Sequence, residues 1–356
     1  IRRTPMARGS GVMTRALLAA LILVGVSAAA RSPCRASLEI GGAYPVVQAH
    51  EASPFSVGKT VGAAACTRIR AWLEGYSALH DVLLPFVATD DGRAAFESLK
   101  NASCAMLPDA CEELRGMASG AGVHEELPLI MSLRHELSAL ARAPLGTTEC
   151  TDVHTFGAFA HNEDGDPLLK QTAFYVNASV RGSPWHFAFR YPASLSGHAF
   201  GFNAHGLTMS MNALSPEAVD VSGVGVYFLC HAAFLQPSSN AVHTLLKGAR
   251  SAYGGSLNVA ELGAPAAGVN LEFGPGHGQV ASAPMPASAA APATFHMNDY
   301  LHLKTVPFRH DKSSEHRLKR ARQLVSEVPA TARNLTTLWR VLGDTADHAY
   351  PLYRHA

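Results

Sequence analysis

The spacing of apolar residues changes at Cys150, and this change limits the folds open to the chain. Before Cys150, apolar residues recur at helical spacing from Val57 to Leu73 and again from Leu127 to Leu140. After it, apolar and β-branched residues form short runs separated by Gly, Pro, Ser and Asn. The sequence therefore predicts a mainly helical segment followed by a segment of layered, mixed α and β structure.

The segment after Cys150 divides into predicted strands, helices and one insertion. Strands are predicted at residues 172–180, 185–191, 207–214 and 268–273, and helices at 226–235, 241–249 and 315–328. The stretch 281–294 consists almost entirely of Ala, Pro and Ser, which predicts a flexible surface insertion.

Composition indicates a globular protein with balanced charge. The 356 residues are 47% hydrophobic and 16% charged, enough to bury a core in two ordinary domains or one large one. Lys and Arg number 29 against 28 Asp and Glu, so neither nucleic acid nor a charged membrane surface is an expected partner. The 18 histidines are scattered, and neither HExxH nor a paired CxxC occurs. No metal site is predicted.

The first 30 residues have the pattern of a signal peptide. Arg15 precedes an apolar run at 16–30, which is shorter than the roughly 20 residues that a membrane-spanning helix needs. Cleavage is expected after Ala28 or Ala30, which predicts a secreted or secretory-pathway protein with no membrane segment after removal. The alternatives are a short uncleaved anchor or a start codon further along.

Glycosylation sequons fit this export. The three acceptor asparagines are Asn101, Asn177 and Asn334, although such triplets also occur by chance in cytosolic proteins.

The six cysteines are consistent with an oxidising compartment. Cys104 and Cys111 bracket a short loop that contains Pro108, which suits a disulfide. Three others have no obvious partner: Cys34, Cys66 and Cys230. If Cys150 is catalytic it stays unpaired, which leaves at least one further free thiol.

Cys150 itself has two interpretations. It follows Glu149 and opens a β-type segment. If the Glu149–Cys150 bond is broken, Cys150 supplies both a thiol and a free α-amine. An α-amine titrates near pH 7.7 to 8.0 and can act as the base for the thiol beside it. The alternative is that Cys150 is a small buried hydrophobic residue ahead of a strand.

Several separated motifs around and after Cys150 favour the first interpretation. They are, in order, Cys150-Thr151-Asp152, His161-Asn162-Glu163-Asp164, Gly201 to Leu207, Asn212 to Pro216, Asn270 to Phe273, His296-Met297-Asn298 with Tyr300-Leu301, and Ser313-Ser314 with Arg317. Upstream, Ser53-Pro54-Phe55 with Val57-Gly58 fits an entry into a helix. In this order the motifs resemble the cysteine N-terminal-nucleophile hydrolases typified by isopenicillin N acyltransferase and N-β-alanyl-dopamine hydrolase, the peptidase C45 type.

The resemblance implies an α+β fold, a four-layer αββα sandwich with two packed sheets between layers of helices. It also implies that residues 31–149 form a helical α-chain segment and 150–356 a β-chain segment of one folded unit. Self-cleavage between Glu149 and Cys150 gives an α/β heterodimer. One departure is that the penicillin-forming enzyme has glycine where this chain has Glu149, whose allowed backbone region is narrower. Whether Glu149 slows self-cleavage or requires another protease stays open.

The resemblance also implies roles for four residues. Cys150 is the nucleophile, and Asn212 donates to the oxyanion of the tetrahedral intermediate. Asp164 holds the α-amine or a nearby cation, and Arg317 pairs with Asp164 or with a substrate carboxylate. The structural alternatives are a strand-end turn for Asn212, a solvated acidic turn for Asp164 and a solvent-facing helix position for Arg317.

Further residues are assigned to the pocket or to the surface. His205, His296 and Asn298 are expected to line the substrate pocket, whereas Glu163 and Asp166 are expected at the surface. No cofactor is implied.

The implied substrate is a small N-acyl amine or a thioester, as in the β-alanyl-dopamine branch. Three alternatives stay open: an inactive secreted glycoprotein of the same fold, an acyl-CoA-dependent N-acyltransferase, and a metal-dependent hydrolase that uses the histidines.

Overall fold

The computed structural model describes residue 34 and residues 44–143, 149–263, 268–288 and 290–354, with the backbone alone at Glu149. The predicted signal peptide, residues 1–30, lies outside these residues. Within the described part of the chain, no helix combines the length and the apolar character that crossing a membrane requires.

Residues 44–143 are helical apart from one strand and the connecting turns, as the apolar spacing predicts. The strand β1 (Val46–Glu51) comes first. The helices are α1 (Pro54–Ala64), α2 (Cys66–Gly75), α3 (Leu84–Val87), α4 (Asp90–Met106), α5 (Pro108–Ala121), α6 (Glu126–Ser132) and α7 (Arg134–Leu140), with a π-helical turn at Leu79–Leu83 ahead of α3.

Helices α1 and α5 pack closely because glycines face each other between them. A Cβ atom on Gly58 would lie 1.8 Å from the Glu113 carbonyl oxygen, and one on Gly116 would lie 2.0 Å from the Phe55 carbonyl oxygen. Only glycine permits this approach. Ser53 begins α1 by accepting a hydrogen bond from the Ser56 amide, and Pro54 follows at the first helical position, as its motif indicates.

The part from Glu149 onward is rich in strands. They are β2 (Glu149–Thr155), β3 (Ala158–Asp164), β4 (Phe174–Val180), β5 (His186–Arg190), β6 (Phe200–Asn203), β7 (Leu207–Leu214), β8 (Arg250–Ser251), β9 (Gly254–Glu261), β10 (Val269–Phe273), β11 (Gly276–His277), β12 (Val280–Pro284) and β13 (Thr294–His296). The helices are α8 (Leu169–Thr172), α9 (Val226–Phe234), α10 (Ser239–Gly248), α11 (Lys312–Ser326) and α12 (Leu335–Leu342).

These strands form a large sheet and two small ones, so the protein has a mixed α+β fold. The large sheet has the order β1-β4-β5-β6-β7-β9-β10-β12, and only β1 and β4 are parallel neighbours within it. A three-stranded sheet has the order β13-β2-β3, and β8 pairs with β11. Strand β2 contacts β7 of the large sheet. Helices α1, α9 and α10 contact the large sheet, whereas α11 and α12 contact the three-stranded one.

Two of the boundaries predicted after Cys150 differ from the structure by more than two residues. Helix α11 begins at Lys312, three residues before the predicted start, because the Asp311 side chain accepts hydrogen bonds from the amides of Ser313 and Ser314. The stretch 281–294 is not wholly an insertion, since its first residues belong to β12. That strand pairs with β10 through backbone hydrogen bonds, which its Ala, Ser and Pro composition does not reveal.

The predicted disulfide between Cys104 and Cys111 is present, and Cys34 pairs with Cys66. Cys150 and Cys230 are free and buried. Cys150 is therefore available as a nucleophile.

Glu272 on β10 ties the segment after β13 to the large sheet. Its fully buried carboxylate contacts His296 Nε2 at 2.8 Å and accepts hydrogen bonds from the amides of Leu301, His302 and Leu303. Burial acts to raise the pKa of Glu272, but its hydrogen bonds and His296 outweigh burial and lower the pKa to about 2.

We predict that Glu272→Gln lowers the free energy of unfolding at pH 7 by about 3 kcal/mol, because it replaces a buried carboxylate that its partners stabilise. A carboxylate with a depressed pKa stabilises the fold above its unfolded pKa. The difference from wild type should therefore shrink as pH falls from about 4 toward about 2. Urea unfolding across this range measures it.

The matched control is Glu327→Gln, which removes an exposed ion pair with Arg340. It should cost less than about 1 kcal/mol at pH 7. Equal losses for the two variants at pH 7 would contradict the role of Glu272.

Candidate active site

The β2–β3 hairpin sets the arrangement around Cys150. Its two-residue turn is formed by Phe156 and Gly157, whose φ angles of 45° and 77° are both positive, as tight hairpin turns require. The resulting register pairs Cys150 with Glu163 and Asp152 with His161.

Alternation along the strands then places these four side chains on one face of the hairpin. That face turns toward the large sheet, where Ser210 of β7 donates to Asp152. The opposite face carries Val153, which packs in a core with residues of α11 and α12.

The backbone of Cys150 is held on both sides. Its amide donates to Asn298 Oδ1 at 3.0 Å, and its carbonyl oxygen accepts from Arg317 Nη1 at 2.6 Å. Arg317 also donates to Thr151 Oγ1 at 2.8 Å and to Asn298 Oδ1 at 2.7 Å, and Asn298 Nδ2 donates to the Ala213 carbonyl. The Arg317 guanidinium is fully buried, so its contacts with β2 lie inside the protein.

The thiol of Cys150 is protonated in the intact chain. Its Sγ donates to Glu163 Oε1 at 3.7 Å. Burial, together with the negative charge of Glu163, raises the pKa of Cys150 to about 12. The thiol therefore needs a base before it can attack a carbonyl.

His161 lies between two carboxylates. Its Nδ1 is 2.8 Å from Asp152 Oδ2 and its Nε2 is 3.1 Å from Glu163 Oε2. Carboxylates accept hydrogen bonds, so both ring nitrogens donate and the ring is an imidazolium. Burial acts to lower the pKa of His161, but Asp152 and its hydrogen bonds raise it well above the usual range. Burial likewise acts to raise the pKa of Asp152, and His161 holds it below the usual range.

Asn212 belongs to a buried polar network between the two sheets. Its Nδ2 donates to Asp152 Oδ2 at 2.8 Å, and its Oδ1 accepts from Asn258 at 2.9 Å. Ser210 donates to the other oxygen of Asp152 at 2.6 Å. An amide nitrogen carries two hydrogens, so Asn212 keeps a second donor beyond the one given to Asp152.

A cavity of about 500 Å³ is lined by His161 and Glu163, the latter being the side chain that contacts the Cys150 thiol. One part of its wall is aromatic, formed by Tyr44, Tyr175, Phe189 and Phe200. Another part is charged, formed by Asp164, Asp166, Lys170 and Arg354. The cavity has room for a small molecule with an apolar group.

The family of the chain follows from comparison with known families. The model of the acyl-coenzyme A:6-aminopenicillanic acid acyl-transferase family matches residues 151–356, beginning directly after Cys150. The chain belongs to this family. The match confirms the resemblance to the N-terminal-nucleophile, peptidase C45 type and shows an enzyme family of acyl transfer or hydrolysis. None of the curated proteins compared with the chain matches it.

Three of the predicted site residues, Asn298, Asp164 and Arg317, lie near β2, the strand that carries Cys150. Asp164 lines the cavity and pairs across the hairpin with Glu149, at the predicted scissile bond. Of the other two predicted pocket residues, His296 lies on β13 directly opposite Asp152 of β2, whereas His205 lies away from the site. Exposed His205 sits in the turn before β7, roughly 20 Å along that strand from Ala213. Buried His296 has both ring nitrogens engaged, by Glu272 and by the Met297 carbonyl.

The expectation that Glu163 is a surface residue is wrong. Its side chain is 14% exposed, and Tyr191 donates to its Oε1 at 2.5 Å. Asp166 is half-buried and accepts a hydrogen bond from the Leu168 amide. The sequence holds the signal for Glu163: residues two apart in strands share a face, and Phe156-Gly157 can close a hairpin that places His161 and Glu163 beside Cys150.

Cys150, His161 and Glu163 could together hold a metal ion, because their ligand atoms lie within 4.8 Å of one another. The sequence contains no metal-binding motif that predicts this grouping. In the structure these groups serve one another as hydrogen-bond partners.

The sequons differ in accessibility. Asn101 on α4 and Asn334 at the start of α12 are exposed, whereas Asn177 on β4 is half-buried between two neighbouring strands. Asn101 and Asn334 are therefore the better acceptors for a glycan.

We predict that Arg317→Lys lowers kcat/KM at least ~100-fold on any amide that the wild type turns over. A lysine ammonium cannot reproduce the fork that holds Cys150, Thr151 and Asn298 together. The control is Arg322→Lys, an exposed position on the same helix. It should retain wild-type kinetics, and similar losses for both variants would contradict the assignment.

Proposed function

We propose that the protein is a self-processing cysteine amidohydrolase or acyltransferase that acts on small N-acyl amines through an acyl-enzyme at Cys150. One observation carries this proposal. Asn298 holds the nitrogen of Cys150, Arg317 holds its carbonyl oxygen, and Glu163 lies beside its sulfur. A nucleophile that becomes an N-terminus needs its nitrogen positioned before cleavage, and the intact chain already provides the acceptor for it.

The mature enzyme would use the α-amine of Cys150 as its base. After cleavage, this amine remains against Asn298 Oδ1 and takes the thiol proton. Arg317 donates to the same Oδ1. Its positive charge favours the neutral amine, which is the form that accepts a proton. Asp164 lines the cavity close by and would orient the ammonium that forms.

Acyl transfer then follows from the thiolate. Sγ attacks the amide or thioester carbonyl, and a tetrahedral intermediate with a negative oxygen forms. The second amide hydrogen of Asn212 is our candidate donor to that oxygen. Loss of the amine or thiol leaves an acyl-enzyme, which water or an acceptor amine resolves. The family description names an acyl-coenzyme A, so an acyl-CoA-dependent N-acyltransferase is the second candidate.

The cavity suggests where the substrate would lie. An apolar acyl or amine group suits the aromatic wall at Phe189 and Phe200, and a basic nitrogen suits the carboxylates of Asp164 and Asp166. The intact set of Cys150 contacts favours an enzyme over an inactive protein of the same fold.

We also propose that the fold is the four-layer αββα sandwich. The contacts of β2 with β7, and of helices with both sheets, support it. One hydrophobic core contains Trp72 and Leu137 from before the cleavage point and Phe174 and Phe228 from after it. The two chains would therefore stay together as an α/β heterodimer.

The proposed location is the secretory pathway. Two disulfides and two exposed sequons support it, since disulfides persist in oxidising compartments.

We predict that the mature protein consists of two chains, one ending at Glu149 and one starting at Cys150, and that Cys150→Ala stays uncut. The thiol is the attacking group, so its removal leaves no route to self-cleavage. N-terminal sequencing and intact mass spectrometry of protein from its native cell measure this, together with removal of residues 1–30 and any glycan. Wild-type protein that is active while intact at Glu149–Cys150 would contradict the proposal.

We predict that Asn212→Ala lowers kcat about 100-fold or more with little change in KM, because an oxyanion donor acts on the transition state. The measurement belongs on protein in which Cys150 is already an N-terminus. Ser210→Ala is the control: it removes another of the donors to Asp152 and leaves the oxyanion donor in place. Equal losses in both variants would assign Asn212 to positioning Asp152 instead.

A further inference from the structure

The intact chain lacks the base that the mature enzyme is proposed to use. Before cleavage the nitrogen of Cys150 is part of a peptide bond and donates its hydrogen to Asn298. Such a nitrogen cannot accept the thiol proton. Self-cleavage therefore needs a different base, one within reach of Sγ in the uncut chain.

Glu163 is placed for this task. Its Oε1 accepts from Sγ at 3.7 Å, and the hairpin register fixes Glu163 directly opposite Cys150. Tyr191 donates to the same oxygen and His161 to the other one, so both carboxylate oxygens have fixed partners. The Arg134 guanidinium lies over the Tyr191 ring, 5.0 Å from its centre.

His161 supports Glu163 and does not replace it. Its Nδ1 donates to Asp152 and its Nε2 to Glu163, and the ring also has a hydrogen-bond contact with the Cys150 thiol. As an imidazolium, the ring has no lone pair left to accept the thiol proton. Asp152 anchors the ring, and Ser210 and Asn212 in turn hold Asp152. A buried chain of hydrogen bonds thus runs from the large sheet through Asp152 and His161 to the carboxylate beside the thiol.

We propose that Glu163 is the catalytic base for self-cleavage of the Glu149–Cys150 bond, with His161 as its positioning residue. This inference rests on the proposed function, and it separates the base for processing from the α-amine that serves turnover.

Self-cleavage of the Glu149–Cys150 bond proceeds as an N-to-S acyl shift followed by hydrolysis of the thioester. Glu163 takes the thiol proton as Sγ bonds to the Glu149 carbonyl carbon. Glu163 returns the proton to the Cys150 nitrogen as the C–N bond breaks, which leaves a thioester and a free α-amine. Water then adds to the thioester carbon and the C–S bond breaks. The products are the Glu149 carboxylate and the Cys150 thiol, and the proton released in the hydrolysis goes to the free α-amine.

The test follows cleavage of the full chain after cell-free synthesis, by gel and mass spectrometry. Glu163→Gln keeps the size of the side chain and removes its basicity, and it should slow cleavage at least ~100-fold. Glu315→Gln, an exposed glutamate on α11, is the control and should cleave at the wild-type rate. Cleavage of Glu163→Gln at the wild-type rate, or a block found in Asp164→Asn but not in Glu163→Gln, would overturn the proposal.

Chemical rescue distinguishes a base from a structural support. Formate, a small carboxylate that can enter the cavity, should restore cleavage of Glu163→Gly at least ~10-fold. His161→Gln, which keeps a hydrogen-bond donor to Glu163 and has no basic nitrogen, should cleave faster than His161→Gly, as expected of a positioning residue. No rescue of Glu163→Gly in a protein that retains the wild-type circular dichroism spectrum would overturn the assignment of Glu163 as base.

A third experiment distinguishes a failure of the role proposed for Glu163 from a failure of the proposed function. A recognition sequence for a specific endoprotease is placed directly before Cys150 in the full-length Glu163→Gln chain. Added protease should raise turnover of an acyl amide at least ~10-fold over the uncut variant, because the block lies in processing. A wild-type chain that never cleaves contradicts the proposed function itself. A wild type that cleaves alongside an equally fast Glu163→Gln contradicts only the role of Glu163.

Discussion

The pairing of β2 with β3 is the constraint on which the site depends. Side chains alternate between faces of a strand, so a slip of one residue in β3 would turn His161 and Glu163 away from Cys150. The two-residue turn at Phe156 and Gly157 prevents that slip by fixing the loop length. Local turn geometry therefore decides which carboxylate faces the thiol.

The same hairpin buries several charged side chains, and hydrogen bonds from the neighbouring elements compensate for the loss of their hydration. Asp152 is fully buried, and an uncompensated buried carboxylate would cost several kcal/mol. His161, Ser210 and Asn212 all bond to it. At Cys150, Arg317 donates hydrogen bonds to the backbone carbonyl and to the Asn298 side chain. Both sheets and α11 thus contribute to the surroundings of Cys150, the proposed nucleophile, which explains why the residues around it are spread over most of the family match.

The sequence predicts much of the fold and part of the site. The helical part before Cys150, the two helices after β7 and four strands follow from apolar periodicity, because each buries one continuous face. Periodicity fails for β12, which is an edge strand rich in Ala and Ser, and it does not give sheet order. The motifs indicate Cys150, Asn298 and Arg317. They do not reveal Glu163 as a neighbour of the thiol, because that neighbour depends on hairpin register, nor the placement of His205 beyond the far end of β7.

The central claim is that the acyl group passes through Cys150 as an N-terminal residue. Intact mass spectrometry of protein quenched with acid during turnover tests it most directly, since acid preserves a thioester. We predict that the acyl mass appears on the chain that starts at Cys150, and that peptide mapping places it on the Cys150 sulfur. An acyl group found on the uncut chain, or on a residue other than Cys150, would contradict the role of Cys150 as an N-terminal nucleophile.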